Sequence, residues 1–159
     1  MLRNAKFGLT AVVAALVVLA SARPTEAQNP GRTCAPFNTV TFDMCTGEFV
    51  AITGEACTDT FFHVDASGGA HVTIHETIMG TAVGVTSGNE YVFQTEILTE
   101  ENVNSGNDAQ DELTLVADAN LISKGSLPND RATITTHITI DANGNVTSMD
   151  VDMAENCNG

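Results

Sequence analysis

Apolar residues recur at alternate positions in two runs between residues 134 and 153, at Ile134, Ile138 and Ile140 and again at Met149, Val151 and Met153. Asn143-Gly144 lies at the centre of this stretch and favours a two-residue type I′ turn, because that turn needs positive φ at both central positions. A hairpin centred there pairs Ile140 with Thr147, Ile138 with Met149, Thr136 with Val151 and Ile134 with Met153. One face is then apolar and the other polar in both strands, which a slip of one residue would destroy.

Three further hairpins are predicted from short β-branched runs that end at turn residues. The first joins strands 39–44 and 48–53 around Cys45-Thr-Gly47. The second joins 60–65 to 70–76 and pairs Phe62 with Ile74 and Val64 with Val72. The third turns at 87–89 and pairs Val85 with Tyr91 and Val83 with Phe93. Gly80 and Gly84 interrupt the pattern, which predicts a bulge or a sharp bend there.

With a further alternating run at 113–121, these elements predict an all-β protein, an antiparallel meander of eight or nine strands. A sheet of that length hides its edges, so we expect a closed soluble β-barrel, with a β-sandwich as the alternative. Residues 28–37 are predicted to form an irregular arm and residues 38–159 a single β domain. The longest polar stretch, 100–111, is predicted to be a loop.

The first 27 residues are predicted to be a signal peptide. Arg3 and Lys6 precede an apolar run, and small-residue cleavage motifs end at Ala22 and Ala27. The apolar run is too short for a spanning helix. The remaining chain has no Trp and one Tyr, so it lacks the aromatic girdles of an outer-membrane barrel. We therefore expect a secreted or periplasmic protein without membrane insertion.

The charge of the predicted mature chain is strongly negative. Residues 28–159 carry three basic residues against nineteen acidic ones, a formal charge of −16. Such a polyanion is repelled by nucleic acid and by anionic membranes, which excludes both as partners. Solubility outside the cell explains the charge, and a cationic partner is the sharper alternative.

Four cysteines, Cys34, Cys45, Cys57 and Cys157, follow the predicted signal peptide. An even number in an exported domain favours two disulfides, and no pair has the C-x-x-C spacing of zinc ligands. Folding the chain back near residue 46 brings Cys34 beside Cys57. Cys45 then lies about 12 residues along the strand from Cys57, and at ~3.3 Å per residue that distance is too great for a disulfide unless the strand bends sharply. We therefore predict Cys34–Cys57 and Cys45–Cys157.

The histidines offer candidate chemistry. His71 and His75 stand ~13 Å apart on one strand and cannot share a metal. His63, Asp65 and His71 share a face of the second hairpin and are conceivable ligands, although a solvated polar face is the simpler interpretation. His137 is expected to form a cross-strand ion pair with Asp150. This dyad lacks an identifiable nucleophile, so we predict no catalytic residue, no cofactor and no metal ligand, and an enzyme is the least favoured class.

Two polar stretches invite comparison with calcium sites. Residues 100–111 and 141–145 are rich in the oxygen ligands that Ca²⁺ prefers. Neither stretch follows the EF-hand order, and a turn already explains the composition of the second. We expect at most weak calcium binding in either place.

Several motifs carry a resemblance to a known group of proteins. They are Cys45-Thr-Gly-Glu48, Val83-Gly-Val-Thr-Ser-Gly-Asn-Glu-Tyr91, Asp141-Ala-Asn-Gly-Asn-Val-Thr147 and the near-terminal Cys157. Over most of residues 40–157 the chain resembles a group of uncharacterised exported bacterial β-proteins. Cys45 and Cys157 are the cysteines that match the group, in agreement with the predicted pairing, whereas Cys34 and Cys57 look like additions. The resemblance implies no activity.

The predicted function is non-catalytic binding of a small apolar ligand, because a small barrel holds such a molecule when side chains do not fill it. The residues predicted to contact the ligand are Phe62, Ile74, Val83, Val85, Tyr91, Phe93, Ile138 and Met149. The alternative is a structural or interaction protein with a packed core, which acts through its acidic surface or through 100–111. A cationic partner fits that alternative, and the sequence leaves the oligomeric state open.

Overall fold

The computed structural model describes residues 31–66, 68–104 and 110–158. The predicted signal peptide lies outside these ranges. Seven strands form one antiparallel sheet in the order of the chain: β1 Thr33–Asp43, β2 Glu48–Val64, β3 Ala70–Gly84, β4 Glu90–Val103, β5 Asp111–Ser123, β6 Asn129–Ile140 and β7 Val146–Asn158. The start of β1 shows that residues 33–37, predicted to be irregular, belong to a strand. No helix long and apolar enough to cross a membrane occurs in the described ranges.

The last hairpin confirms most of its predicted register. Ile138 lies opposite Met149, Thr136 opposite Val151 and Ile134 opposite Met153. The turn differs, because the backbone N–H of Asp141 donates to the carbonyl of Asn145 and so encloses residues 142–144; Gly144 has positive φ, at 82°. The resulting three-residue loop needs a bulge, so Ile140 pairs with Val146 instead of Thr147.

The registers predicted for the two middle hairpins are wrong. In the second, Phe62 pairs with Val72, Thr60 with Ile74 and Val64 with Ala70, a shift of two residues that keeps the apolar face. In the third, Tyr91 pairs with Ala82, and Val83 pairs with Glu90. Because neighbours in a strand point to opposite faces, this shift places Val83 on the other face from Tyr91 and Phe93.

Two glycines explain why the strands are fewer and longer than predicted. Gly54 in β2 and Gly80 in β3 are direct partners within uninterrupted ladders, so neither ends a strand and the predicted bulge at Gly80 is absent from the described register. A Cβ on Gly54 would lie 2.8 Å from the Cα of Gly80, so the backbones meet here as only glycine allows. Phe37 and Phe93 lie beside the pair on β1 and β4.

The core occupies one face of the sheet, which we call the inner face. Its buried members are Val50, Ile52, Ala82, Tyr91 and Leu121, with Phe37, Phe93 and Leu127 packed against them. Strands as distant as β1 and β5 contribute to this one cluster, so the sheet coils about it. The sheet does not close, because β1 and β7 are not neighbours in the hydrogen-bonded order. The predicted closed barrel of eight or nine strands is therefore corrected to an open, coiled sheet of seven.

Both predicted disulfides are confirmed. Cys34 and Cys57 are direct partners on β1 and β2 and are bonded. Cys45, in the turn between β1 and β2, is bonded to Cys157 near the end of β7. The second bond covalently joins the two ends of a sheet whose edges are not hydrogen-bonded to each other. Two such bonds are typical of proteins in an oxidising compartment.

Candidate functional site

The inner face continues beyond the core as an accessible apolar surface. We call the part of this face that lies away from the core the open half. The register places its apolar residues on one face: Phe62, Val72, Ile74, Leu113, Leu115, Ile138, Met149 and Val151. Phe62 is 38 %, Met149 50 % and Val151 48 % exposed, whereas the core residues of the same face are buried. The apolar pattern therefore extends past the point where the protein itself covers it.

The structure divides the eight residues predicted to contact a ligand into three groups. Phe62 and Ile74 on β2 and β3, and Ile138 and Met149 on β6 and β7, share the face of the open half, and Thr99 of β4 lies between the two pairs. Tyr91 and Phe93 lie in or against the packed core, so the protein already fills that end of the inner face. Val83 and Val85 are exposed, and Val83 points to the opposite face because β3 alternates. Only the first group lies on the inner face outside the packed core.

Glu76 is a carboxyl group within the inner face. It lies between Thr58 and Ile97 across the sheet and follows Ile74 along β3. Its surroundings bury it partly, and this burial raises the pKa of Glu76. No hydrogen bond from the described residues reaches it. The register also places Glu101 on this face, between Val72 and Leu113. A mainly apolar surface with a few polar groups is the usual composition of a small-molecule site.

A second group of acids lies at the other end of the sheet, beside the Cys45–Cys157 bond. Asp43 ends β1 and is 1 % exposed. Its carboxylate accepts hydrogen bonds from the backbone N–H groups of Cys45 and Thr46 at 2.9 and 3.2 Å, and from the Thr46 hydroxyl at 2.6 Å. These bonds explain the local fold, since an Asp at this position closes the turn.

Asp130 approaches Asp43 from β6. Carboxylate oxygens of the two residues and Sγ of Cys45 lie within 4.8 Å of one another. Asp130 also contacts Glu155, its diagonal neighbour on β7. Burial, followed by the charges of Glu155 and Asp43, raises the pKa of Asp130 to about 6. Asp43, Asp130 and Glu155, which we call the acidic cluster, thus come from three strands.

The raised pKa of Asp130 predicts a pH-dependent stability. Between pH 3.8 and about 6 the unfolded chain has lost this proton while the folded protein retains it, so the free energy of unfolding falls as the pH rises. Asp130→Asn should remove this loss. In metal-free buffer we expect the variant to melt about 2–5 °C above the wild type near neutral pH and within about 1 °C of it below pH 4.

Thermal unfolding followed by circular dichroism across this range tests the expectation. Asp118→Asn is the matched control, because Arg131 holds the pKa of Asp118 below its ordinary value. That variant should lose stability near neutral pH. If Asp130→Asn melted below the wild type at neutral pH, the ionised carboxylate would be stabilising and the sign given above would be incorrect.

The histidine sites do not assemble as a catalytic or metal centre. His137 lies opposite Asp150, as predicted, but its Nδ1 is hydrogen-bonded to the Thr114 hydroxyl at 3.0 Å. No ion pair joins His137 to Asp150 among the contacts of the described chain, so the expected pair is wrong. The rings of His63 and His71 stack with centroids 6.3 Å apart, and Nε2 of His71 lies 3.6 Å from Asp65.

In the two stretches compared with calcium sites, the described residues belong to a turn or to strands. The carboxylate of Asp141 accepts hydrogen bonds from the backbone of Asn143 and from the backbone and side chain of Asn145. These bonds lower its pKa and close the turn. Within 100–111, residues 100–103 belong to β4 and Asp111 begins β5, and 105–109 lie outside the described ranges.

Two surface depressions lie at the hairpin ends near the core. One, of 460 Å³, is lined mainly by the β1–β2 and β3–β4 turns, including Phe42, Phe49 and Ser87. The other, of 440 Å³, lies between the β3–β4 turn and residues 123–127. Neither is lined by any residue predicted to contact a ligand.

The fold and the site define a class of protein: a disulfide-linked, coiled antiparallel meander whose apolar inner face is packed at one end and accessible at the other. No protein-family model matches the chain, and no curated protein or solved structure matches it. The resemblance to exported bacterial β-proteins therefore stays a prediction.

Proposed function

We propose that the protein is exported and binds a small apolar ligand against the open half of its inner face. The observation that carries this proposal is the change along one face, from a buried core around Tyr91 to exposed apolar side chains at Phe62, Met149 and Val151. Removing exposed apolar area from water stabilises a complex by about 25 cal/mol per Å² of area buried. The ligand occupies the concave side of the coiled sheet.

Glu76 gives the proposed site a polar preference. Its half-buried carboxyl group has no partner in the described chain, and a ligand with an N–H or amine group satisfies it by a hydrogen bond. The ligand is therefore an apolar molecule that carries a donor at one end. The strongly negative chain favours an amine over an acid at that position.

Fluorescence titration with N-phenyl-1-naphthylamine, an apolar probe with one N–H group, tests the location of the site. The protein has no Trp, so its own emission interferes little. Val151→Asp places a charge in the open half, and we expect it to weaken binding by about tenfold or more. Ser148→Asp is the matched control: it adds the same charge to the other face of β7 and should bind within about twofold of the wild type.

Competition experiments test the polar preference. Dodecylamine should displace the probe at lower concentration than dodecanol, and Glu76→Gln should reduce that difference by about fivefold. Glu100→Gln removes the same charge from the opposite face of the sheet and should leave the difference intact. Equal binding of the probe by Val151→Asp and the wild type would overturn the proposed location.

The unpaired sheet edges favour a second function, that of an interaction protein. All of β7 except Glu155 is exposed, and its outer face carries Asp150 and Asp152. An exposed strand edge accepts a further strand through its backbone, and these acids favour a strand with basic residues. A peptide that alternates Lys and Val should then bind to β7 and protect its amides from hydrogen exchange, whereas a Glu–Val peptide should not.

A further inference from the structure

Glu101 is a second carboxyl group on the inner face outside the core. It lies on β4 between Val72 of β3 and Leu113 of β5, and it is half-buried. No hydrogen bond or ion pair from the described residues reaches it. Glu76, on β3, is likewise partly buried without a hydrogen-bond partner in that part of the chain. The open half therefore presents two carboxyl groups within a mainly apolar surface.

The two carboxyl groups are separated by a distance that the register sets. Glu76 and Val72 lie four residues apart on β3, and Val72 is the direct partner of Glu101. At ~3.3 Å per residue along a strand and ~4.8 Å between strands, the Cα atoms of Glu76 and Glu101 lie about 14 Å apart. The pair Ile74 and Thr99 lies between them. The two glutamates therefore mark the ends of an interval on the inner face and do not form one cluster.

The interval between the glutamates is mainly apolar. Ile74 and Ile97 border it on β3 and β4, and Leu113 and Leu115 continue the apolar surface on β5. All four side chains are only partly buried, so a ligand still removes apolar area from water there. An extended alkyl chain has the shape of this interval.

The inner face has no positive charge to balance these carboxyl groups. In the described strands every basic side chain lies on the opposite, outer face: His63, His71, His75, Arg131 and His137. Arg32 and Lys124, which lie outside the strands, pair with acids of that outer face at 3.9 and 3.2 Å. Burial raises the pKa of Glu76 because its charged form loses solvation, and a bound cation compensates this loss. Charge and shape together favour an apolar ligand that is positively charged at both ends.

We propose that the ligand of the open half is a long aliphatic diamine, with one ammonium group bound to Glu76, the other to Glu101 and the alkyl chain along the interval between them. This inference rests on the proposed function, since it specifies the ligand of the same site. An extended chain of about ten methylene groups between two nitrogen atoms spans about 13–14 Å, at about 1.2 Å per bond. That length matches the spacing of the two glutamates, and each ammonium group then gains a charge-assisted hydrogen bond.

Displacement of N-phenyl-1-naphthylamine from the disulfide-bonded protein near neutral pH tests the proposal. In the wild type, 1,10-diaminodecane should displace the probe at a concentration about tenfold lower than decylamine, which has the same chain and one ammonium group. The short 1,4-diaminobutane spans only about 6 Å, so it reaches one carboxylate at a time and should be at least about tenfold weaker than 1,10-diaminodecane. Glu101→Gln should reduce the advantage of 1,10-diaminodecane over decylamine to about twofold or less.

Glu100→Gln is the matched control, since it removes the same charge from the adjacent, exposed position on the outer face and should keep the tenfold advantage. Circular dichroism checks that both variants are folded. If decylamine displaced the probe as well as 1,10-diaminodecane in the wild type, the diamine would be the wrong ligand class, while probe binding that Val151→Asp weakens would still support the apolar site. Equal loss of the advantage in Glu100→Gln and Glu101→Gln would also overturn the inference, because it would show diffuse attraction to a polyanion. Absence of probe binding by the wild type would overturn the proposed function and this inference together.

Discussion

Replacing Cys45 and Cys157 together by Ser should lower the free energy of unfolding by about 4–5 kcal/mol, the largest effect expected of any change to this fold. The bond closes a loop between residues 112 positions apart, so its loss releases a large part of the unfolded chain from constraint. The folded state also depends on it, because β1 and β7 are not hydrogen-bonded to each other.

Replacing Cys34 and Cys57 by Ser provides the matched control. This bond joins residues only 23 positions apart on directly paired strands, and the chain-entropy model predicts a cost of about 3 kcal/mol. Urea denaturation without reductant measures both double variants, and the m-value reports any change in compactness. A larger loss for Cys34/Cys57 than for Cys45/Cys157 would show that packing around Tyr91 holds the sheet ends together without the long-range bond.

The outer hairpins were predictable because their turn residues mark the point where the chain reverses. Gly47 and Gly144 both adopt positive φ and mark the two turns. The position of the first turn put Cys34 opposite Cys57, and alternation on both sides of the second put Ile138 opposite Met149. The third hairpin could not be predicted in this way. Ala82, Val83 and Val85 place apolar residues on both faces before its turn, so alternation does not select one register.

The strand count and the closure depend on features that sequence patterns do not encode. Gly54 and Gly80 resemble strand breaks in the sequence, yet they pair across long continuous strands where two backbones approach. Ending a strand at each of these glycines divides β2 and β3, and the predicted number of strands is then eight or nine instead of seven. Closure depends on whether β1 meets β7, a contact between the most distant parts of the sheet that local alternation leaves undetermined.

Two acids of the acidic cluster could have been recognised in the sequence, because they stand at positions where the alternation of the strand predicts an apolar residue. Asp130 is in phase with Ala132, Ile134 and Ile138 on the apolar face of β6. Glu155 is likewise in phase with Met153 on β7. An acid at an apolar position of a strand predicts either a partner or a bound ion. What the sequence could not supply is the convergence with Asp43, which requires the coil of the whole sheet.

Gly80→Ala is expected to cause the second large loss of stability. A Cβ on Gly80 would lie 2.9 Å from the Cα of Gly54 and 2.9 Å from the carbonyl carbon of Thr53, and backbone atoms of a paired strand cannot rotate aside. Strands β2 and β3 must separate locally, at a cost of about 3 kcal/mol, which lowers the melting temperature by about 10 °C. Gly54→Ala should cost as much, because its Cβ would enter the same gap.

Gly125→Ala separates this contact from the general effect of replacing glycine. A Cβ on Gly125 has its nearest neighbour, Oγ of Ser123, at 3.9 Å, so the variant should melt within about 2 °C of the wild type. Hydrogen exchange adds a local readout: Gly80→Ala should expose the amides of β2 and β3 near the glycine pair and leave those of β6 and β7 protected. Equal melting temperatures for Gly80→Ala and Gly125→Ala would mean that β2 and β3 do not pack closely at these glycines, and the continuous strands that reduce the meander to seven would lose their support.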